Sequence, residues 1–220
     1  MMYQYSTYDS VYHGQYEGGI TLEELKPYGG FGLGTFDALE GELVAFGDHF
    51  YHCVDGRCTP ATMASKLAWA AVCHFNEDDR IILEKRAYDD FKNNVLRLCD
   101  FAQRLVAIEL QGMFEHITLT STKKQKKPYP SIETIIEEAI HFPHSSVDGV
   151  AVGWFAPACF GGIKSPGFHF HFVDRTKNVG GHVVDFSGFS GQMRLCYPKG
   201  FRVDFYNKAC QDTPDNIKKA

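Results

Sequence analysis

Short apolar runs alternate with turn-forming pairs through the first sixty residues. The segment GGFGLGTFDALEGELVAFGDHFYHCVDGRCTP, residues 29–60, separates its apolar runs by Glu-Gly, Gly-Asp and Asp-Gly, and such pairs connect adjacent strands. We therefore expect a meander of short β-strands there. Just before it, Thr21-Leu22-Glu23-Glu24 fits a capping box that opens a short helix, which Pro27 ends.

The middle of the chain contains the clearest helical pattern. From about Tyr88 to Leu105, apolar residues recur every three or four positions, which predicts an amphipathic helix that packs on a sheet. The apolar run over residues 67–75 is either a buried strand or a buried helix segment, because periodicity alone does not decide between them. The helical stripe consists of Phe91, Val95, Leu98, Ala102 and Leu105.

Strand-like patterns dominate the rest of the chain. Residues 107–122 alternate, with Ile117 and Leu119 on one face and Thr118 and Thr120 on the other. A second, shorter helix is indicated from Ile132 to Ile140. Further strands are predicted for VDGVAVGWF, FHFHFV, HVVDF, QMRLCY and FRVDFY, which follow in that order.

Strands, then helices, then strands predict an α+β fold with mixed or antiparallel sheets and a few packed helices. A doubly wound fold would need regular strand–helix alternation, which this pattern lacks. With 220 residues and 44% hydrophobic content, the chain is long enough for a substantial core. We expect one domain over residues 1–220, with lobes at about 1–127 and 128–220.

The net charge and the lengths of the apolar runs indicate which partners and which cellular location to expect. The formal net charge is -5 and the pI is near 6.0, so we expect no nucleic-acid partner. The basic run over residues 123–127 is interpreted as a solvated loop. No run reaches the roughly 18 apolar residues of a membrane span, and no leader pattern begins the sequence. The expected location is the cytoplasm, with most of the seven cysteines as buried apolar residues.

A histidine cluster carries the candidate chemistry. In GFHFHFVDRTKNVGGHVVDF, residues 167–186, His169 and His171 would share one strand face while phenylalanines fill the other. A turn over DRTKNVGG would bring His182 alongside, giving three imidazoles with an open fourth position, as in catalytic zinc sites. With ten histidines in the chain, a single His-x-His pair is weak evidence, since it would arise by chance about half the time. The third histidine behind a glycine turn favours a metal site. A cupin-type barrel also uses His-x-His, but the residues that follow here lack its usual glutamate.

Three segments, in this order, resemble the α-acetolactate decarboxylase family. Residues 6–51 resemble the family's opening, with its Gly-Thr-Phe and Asp/Glu-Gly-Glu signatures, and QKKPYPSI resembles its Gln-x-x-Pro-Tyr segment. GFHFHFVDRTKNVGGHVVDF resembles its metal-binding strand pair. The resemblance runs from near residue 3 to about residue 207, and the combination is specific although each piece alone is not.

The resemblance implies a two-lobed zinc enzyme, active as a homodimer, that decarboxylates 2-hydroxy-2-methyl-3-oxobutanoate (2-acetolactate) to acetoin. It implies that His169, His171 and His182 hold the zinc, which binds the ketone and hydroxyl oxygens of the substrate and stabilises the enediolate left by loss of CO₂. A carboxylic acid then protonates one face of the enediolate. Glu42 matches the family's active-site glutamate, whereas without the resemblance it would be interpreted as a solvent-facing turn residue. Glu40 is assigned no chemistry.

Two departures from the family pattern bear on the substrate. The family's arginine position, which meets the substrate carboxylate, falls on Thr120, and a hydroxyl cannot replace a charged bidentate fork. Lys123 or Lys124 could fold back to supply the charge. The family also uses a glutamate in its C-terminal tail, and no glutamate follows Glu138. Two alternatives therefore stay open: a divergent enzyme acting on another β-keto or hydroxy acid, and a catalytically silent metal-binding relative.

Overall fold

Two β-sheets form most of the protein, and a computed structural model describes residues 1–98 and 104–206. The helices are α1 (Tyr8–Tyr12), α2 (Leu22–Leu25), α3 (Tyr88–Leu98) and α4 (Ile132–Glu137), with 3₁₀ turns at Lys26–Tyr28, Asp37–Leu39 and Ala158–Phe160. The strands are β1 (Met2–Tyr5), β2 (Ile20–Thr21), β3 (Phe31–Phe36), β4 (Glu42–Phe46), β5 (His49–Val54), β6 (Arg57–Pro60), β7 (Lys66–Cys73), β8 (Asp79–Arg86), β9 (Val106–Ser121), β10 (Ile140–Ala156), β11 (Gly167–Asp174), β12 (Gly180–Ser187), β13 (Phe189–Cys196) and β14 (Phe201–Asp204).

The first sheet has the strand order β14-β1-β7-β3-β4-β5-β6, and β2 pairs with β7. Strands β1 and β14 run parallel, while the other pairs are antiparallel. The predicted meander is confirmed, because β3 to β6 follow one another in both sequence and space. The ambiguous apolar run is a strand, β7, nearly all of whose residues are buried.

The second sheet has the order β10-β11-β12-β9-β13-β8, and β10 also pairs with β9. The strand predicted for residues 107–122 is confirmed as β9, one of two long strands at the centre of this sheet. The second predicted helix is shorter than expected, since α4 ends at Glu137 and Ile140 already begins β10. Strand β8, which the sequence pattern did not reveal, is mostly exposed at the sheet edge.

Side-chain alternation along each strand produces a layered core. Phe170 and Phe172 of β11 pack with α3 on the outer face of the second sheet. Residues of the opposite parity, such as Val173 and Val152, pack against Val44 and other residues of the first sheet. Helix α2 covers the far side of the first sheet. Because burying one such side chain contributes about 1.5–3 kcal/mol, this alternation fixes which residues face the space between the sheets.

The long helix prediction is correct at its start and wrong at its end. Helix α3 begins at Tyr88, and its Phe91 and Val95 are buried as the stripe requires. Leu105, however, lies outside the helix, immediately before β9, where it is buried between the sheets. The Leu98 side chain and Ala102 lie outside the described part of the chain. The capping box is confirmed, with the Thr21 side chain accepting from the Glu24 backbone N–H and Glu24 reaching back to Thr21.

Cys53 and Cys58 are buried, as expected for most of the cysteines, but they also form a disulfide, which the sequence did not predict. They lie directly opposite each other in the β5–β6 hairpin, because the Asp55-Gly56 turn separates them by five positions. Cys73 and Cys196 are free and buried, whereas Cys159 is exposed. Cys99 and Cys210 lie outside the described residues.

Along the chain, β1 to β7 belong to the first sheet and β8 to β13 belong to the second, and β14 returns to the first sheet. A single domain over residues 1–220, with lobes that meet near residue 127, stays a prediction. Within the described residues, none of the helices has the length and apolar character needed to cross a bilayer.

Candidate active site

Three histidines meet on the face of the second sheet that looks towards the first. His169 and His171 are two residues apart on β11, so both imidazoles share the face opposite the phenylalanines. His182 of β12 lies directly opposite His171 in the antiparallel ladder. One nitrogen from each ring lies within 4.8 Å of the others. The predicted convergence of the three side chains is therefore what the structure shows.

The turn between β11 and β12 sets this register, and Asp174 organises it. The Asp174 carboxylate accepts hydrogen bonds from the backbone N–H groups of Thr176, Asn178 and Val179, and from the Thr176 hydroxyl. Burial opposes the charge, but these hydrogen bonds lower the pKa of Asp174. Gly180 ends the turn, and a Cβ added to Gly180 would lie 2.3 Å from the Cys58 sulfur. The strand pair thus fits against the first sheet only with glycine at this position.

The three imidazoles are neutral, which is the form that binds metal. Burial lowers the pKa of His171 to about 3 and of His182 to about 4. Burial also lowers the pKa of His169 well below its usual value, with smaller contributions from the charges of the neighbouring histidines and Lys164. The Nδ1 of His171 lies 2.8 Å from the Leu43 carbonyl oxygen, which can only accept, so Nδ1 carries the proton and Nε2 keeps its lone pair. Such an outer hydrogen bond typically orients a metal-binding histidine.

Glu42 approaches the histidines from the first sheet. It begins β4 and shares a strand face with Val44, which packs between the sheets. Its Oε2 lies 3.4 Å from Nε2 of His171. The preceding Gly41 has φ +72°, and an added Cβ there would lie 2.5 Å from the Cys53 carbonyl oxygen. Glycine at position 41 therefore allows the tight turn that carries Glu42 between the sheets.

Burial makes the Glu42 carboxyl a proton carrier at neutral pH. The residue is 8% exposed, so it is not the solvent-facing turn residue that sequence pattern alone suggests. Burial raises the pKa of Glu42 to about 8, and a hydrogen bond from the Thr122 backbone N–H opposes this only in part. The proton that Glu42 holds therefore lies beside the three imidazoles.

Two adjoining cavities lead to this group. An inner cavity of about 130 Å³ is lined by Glu42, His169, His171 and Trp69 among others. A wider cavity of about 500 Å³ shares Glu42 and His169 and adds His182 and Thr120. Apolar side chains such as Val11 and Ile132 line both cavities. An apolar pocket with a few convergent polar groups suits a small organic ligand.

Thr120 lines the wider cavity and lies opposite His182 in the β9–β12 ladder. Its hydroxyl donates to the Ile140 carbonyl oxygen at 3.0 Å, so this proton is already used within the protein. Lys124, one of the two lysines that could fold back, instead pairs with Glu40 at 3.1 Å and approaches Asp37. Lys123 is exposed and lines a separate pocket with Gln125.

Sequence reasoning missed Trp69. Its ring stacks on His169 at a centroid separation of 5.9 Å and an interplanar angle of 10°. Within an almost wholly apolar strand, a tryptophan is interpreted as a core residue, and only the tertiary pairing of the two sheets reveals its role in the site. Trp154, opposite His169 in the β10–β11 ladder, was missed for the same reason.

Comparisons with known proteins identify relatives that match nearly the whole chain. The profile of the alpha-acetolactate decarboxylase family matches residues 2–211. Alpha-acetolactate decarboxylase from Bacillus subtilis is 33% identical over 226 residues, covering 99% of this chain and 88% of its own length. Alpha-acetolactate decarboxylase from Methanosarcina mazei is 32% identical, covering all of this chain and 79% of its own length. A crystal structure of the B. subtilis enzyme superposes with a TM-score of 0.92 and covers 98% of this chain and 94% of that one.

The family match and the named relatives place the protein in the carboxy-lyase class of enzymes, and the fold agrees with this class. The family match spans nearly the whole described chain, and the relatives share about a third of its residues. The chain belongs to the alpha-acetolactate decarboxylase family.

Proposed function

We propose that the protein is a zinc-dependent decarboxylase that converts 2-acetolactate to acetoin. The observation that carries the proposal is the convergence of three neutral imidazoles, within 4.8 Å of one another, with a buried carboxyl 3.4 Å from one of them. The names of the relatives support the substrate and its decarboxylation.

The histidine group fits a zinc ion. Zinc accepts three histidines as ligands and leaves a fourth position for substrate oxygens. The hydrogen bond from His171 Nδ1 to Leu43 fixes that ring with Nε2 available. When bound, zinc would supply a Lewis acid for the keto and hydroxyl oxygens of a 2-hydroxy-3-oxo acid.

The side chains of this chain account for the remaining steps. The apolar lining around Val11 and Ile132 limits water at the reacting carbon. Loss of CO₂ breaks the bond to the carboxyl carbon and leaves its electron pair on the substrate skeleton. Glu42 then transfers its proton to one face of the carbon that lost CO₂. Because Glu42 reaches the site from the first sheet alone, delivery from one side would fix the configuration of acetoin.

The test measures acetoin formation from racemic acetolactate by protein of known metal content, beside the His169→Ala variant. We expect turnover that tracks zinc content and is lost in the variant together with the metal. Full turnover by metal-free protein would contradict the zinc proposal. Bound zinc without acetoin would contradict the substrate.

A second candidate is the same chemistry on another β-keto or hydroxy acid. It is favoured by Thr120, whose hydroxyl is bound to Ile140 and offers no charge to a carboxylate. A panel of keto and hydroxy acids, assayed for CO₂ release, separates the two candidates. Zinc binding without turnover of any acid in the panel would instead identify a catalytically silent relative.

A homodimer and a cytoplasmic location, both expected from the sequence, stay predictions. Light scattering during size-exclusion chromatography measures the first. The Cys53–Cys58 disulfide is a bond found mainly in oxidising compartments, so the redox state of these cysteines in protein isolated from cells bears on the second.

A further inference from the structure

A buried lysine lies behind the histidine site. Lys164, in the loop before β11, is 3% exposed. Its ammonium nitrogen lies 5.3 Å from the Trp69 ring centroid and 5.0 Å from that of Trp154. It donates one long hydrogen bond, 3.4 Å, to the side-chain oxygen of Gln4. Lys164 therefore lies between the two sheets, enclosed by the two tryptophans of the chain.

Among the described residues, these buried donors have a single acceptor, the side-chain oxygen of Gln4. Within residues 1–98 and 104–206, Lys164 has no carboxylate partner within 4 Å, and burial lowers the pKa of its amine well below the usual value. The indole N–H groups of Trp69 and Trp154 are also buried without a hydrogen-bond acceptor in the described structure. Leaving buried donors of this kind unpaired destabilises the folded protein. An arriving anion would satisfy them and favour the charged form of the lysine.

The donor group adjoins the site rather than a remote part of the core. Trp69 stacks on His169 and lines the inner cavity together with Glu42. Trp154 occupies the ladder position opposite His169. By contrast, Lys124 and Lys127 pair with surface carboxylates. Lys164 lines neither cavity itself, but it lies behind the Trp69 ring, which lines the inner one.

We propose that Lys164 and Trp69 recognise the carboxylate of an anionic substrate, with Lys164 supplying the charge and Trp69 an N–H donor. They are specificity-determining residues that supply part of the charge and hydrogen bonding that Thr120 does not offer. This inference rests on the proposed function only in requiring that the substrate be an organic acid.

The test compares two unreactive probes that differ by one charge. These are 2-hydroxy-2-methylpropanoate and its neutral amide, titrated into zinc-loaded protein by calorimetry and by tryptophan fluorescence. Lys164→Met keeps the side-chain length without the charge, and Trp69→Phe keeps a ring beside His169 without the N–H. Lys177→Met is the matched control, because Lys177 also packs over two aromatic rings, those of Phe46 and Tyr51, at the other end of β4 from Glu42.

We expect the unaltered protein and Lys177→Met to prefer the acid over the amide by more than about tenfold, because the zinc ion also favours the acid in every variant. Lys164→Met should reduce this preference by about tenfold and Trp69→Phe by about threefold, the effect of one hydrogen bond. Equal weakening of both probes would indicate a structural role and overturn the proposal. So would an unchanged preference in Lys164→Met, or no preference in the unaltered protein.

The outcomes also separate this proposal from the proposed function. If the protein forms acetoin but Lys164→Met keeps the acid preference, the carboxylate recognition fails and the decarboxylase proposal stands. If no acetoin forms but the preference depends on Lys164, the site binds anions as inferred and the assigned substrate is wrong.

Discussion

His171 and His182 occupy directly opposite positions in the β11–β12 ladder, and their ring centroids are 5.4 Å apart. A shift of one residue in this pairing would move His182 to the other face of the sheet. The site therefore depends on the turn that sets the register, and the hydrogen bonds of Asp174 hold that turn.

Replacing Asp174 with alanine should destabilise the protein by about 1.5–3 kcal/mol, since a charged acceptor of several hydrogen bonds is lost. Urea unfolding measures the change. Because the folded-state pKa of Asp174 is lowered, its contribution is present above the unfolded pKa of about 3.9 and is lost as the pH falls through the lower folded value. The difference between the two proteins should hold from pH 7 to about 5 and shrink below about 4.

The matched control for this turn is Asp185→Ala, which removes an exposed carboxylate from β12. It should change the free energy of unfolding by less than about 0.5 kcal/mol. Equal effects of the two substitutions would show that Asp174 does not organise the turn.

Replacing His182 with alanine should weaken zinc binding by more than about 100-fold. Loss of a residue that only supports a ligand costs up to about 100-fold, and His182 is one of the three proposed ligands, so that His169 and His171 alone would remain. Competition with a chromogenic chelator gives the affinity. His141→Ala, a histidine that lines the wider cavity but lies outside the trio, should bind zinc as the unaltered protein does. Stoichiometric, tight zinc in His182→Ala would refute the assignment.

Glu42→Gln should retain zinc and fold normally, because the two side chains have nearly the same shape. Acetoin formation should fall about 10²- to 10⁴-fold, the range for loss of a positioned proton donor. Steady-state assays with parallel metal analysis measure both quantities. Glu40→Gln is the control, since Glu40 is only half-buried and pairs with Lys124; it should keep kcat within about twofold. Near-normal kcat in Glu42→Gln would exclude this residue as the acid.

Thr120→Arg tests the position where the resemblance places an arginine. An arginine in the wider cavity should lower KM for acetolactate by about tenfold, since a charge-assisted pair replaces a hydroxyl bound elsewhere. Thr118→Arg, two residues away on the same strand face, is the control and should leave KM unchanged. Equal KM values for the two variants would mean that a charge at position 120 does not reach the substrate.

Local patterns were sufficient to predict the histidine site. Alternation of phenylalanine and histidine on β11 assigned each residue to a face, and turn residues placed His182 alongside. The depth of Glu42 could not be predicted, because its burial depends on contact between two sheets whose strands are far apart in sequence. For the same reason the positions of Lys164 and Trp69 beside the site could not be predicted. In the sequence they have the features of an ordinary loop lysine and an ordinary core tryptophan, and only the packing of the two sheets brings them together.

The errors in the predicted elements have local physical causes. Strand β8 carries charges on its exposed edge positions and buries only Leu83 fully, so its alternation is weak. The helical stripe appeared to continue to Leu105 because a buried leucine before a strand has the same apolar character as one on a helix. The spacing of apolar residues predicts which residues are buried more readily than it predicts whether they lie on a helix, a strand or a loop.

Glu42 comes from the first sheet and the three histidines come from the second, so the proposed acid and the proposed metal site would report on different parts of the fold. Zinc content would measure the fraction of molecules in which the second sheet is intact. Turnover per bound zinc would measure the fraction of those molecules in which the two sheets are also packed together. As denaturant is added, catalysis should therefore disappear before the metal is released, and the interval between the two events would measure how firmly the sheets hold together.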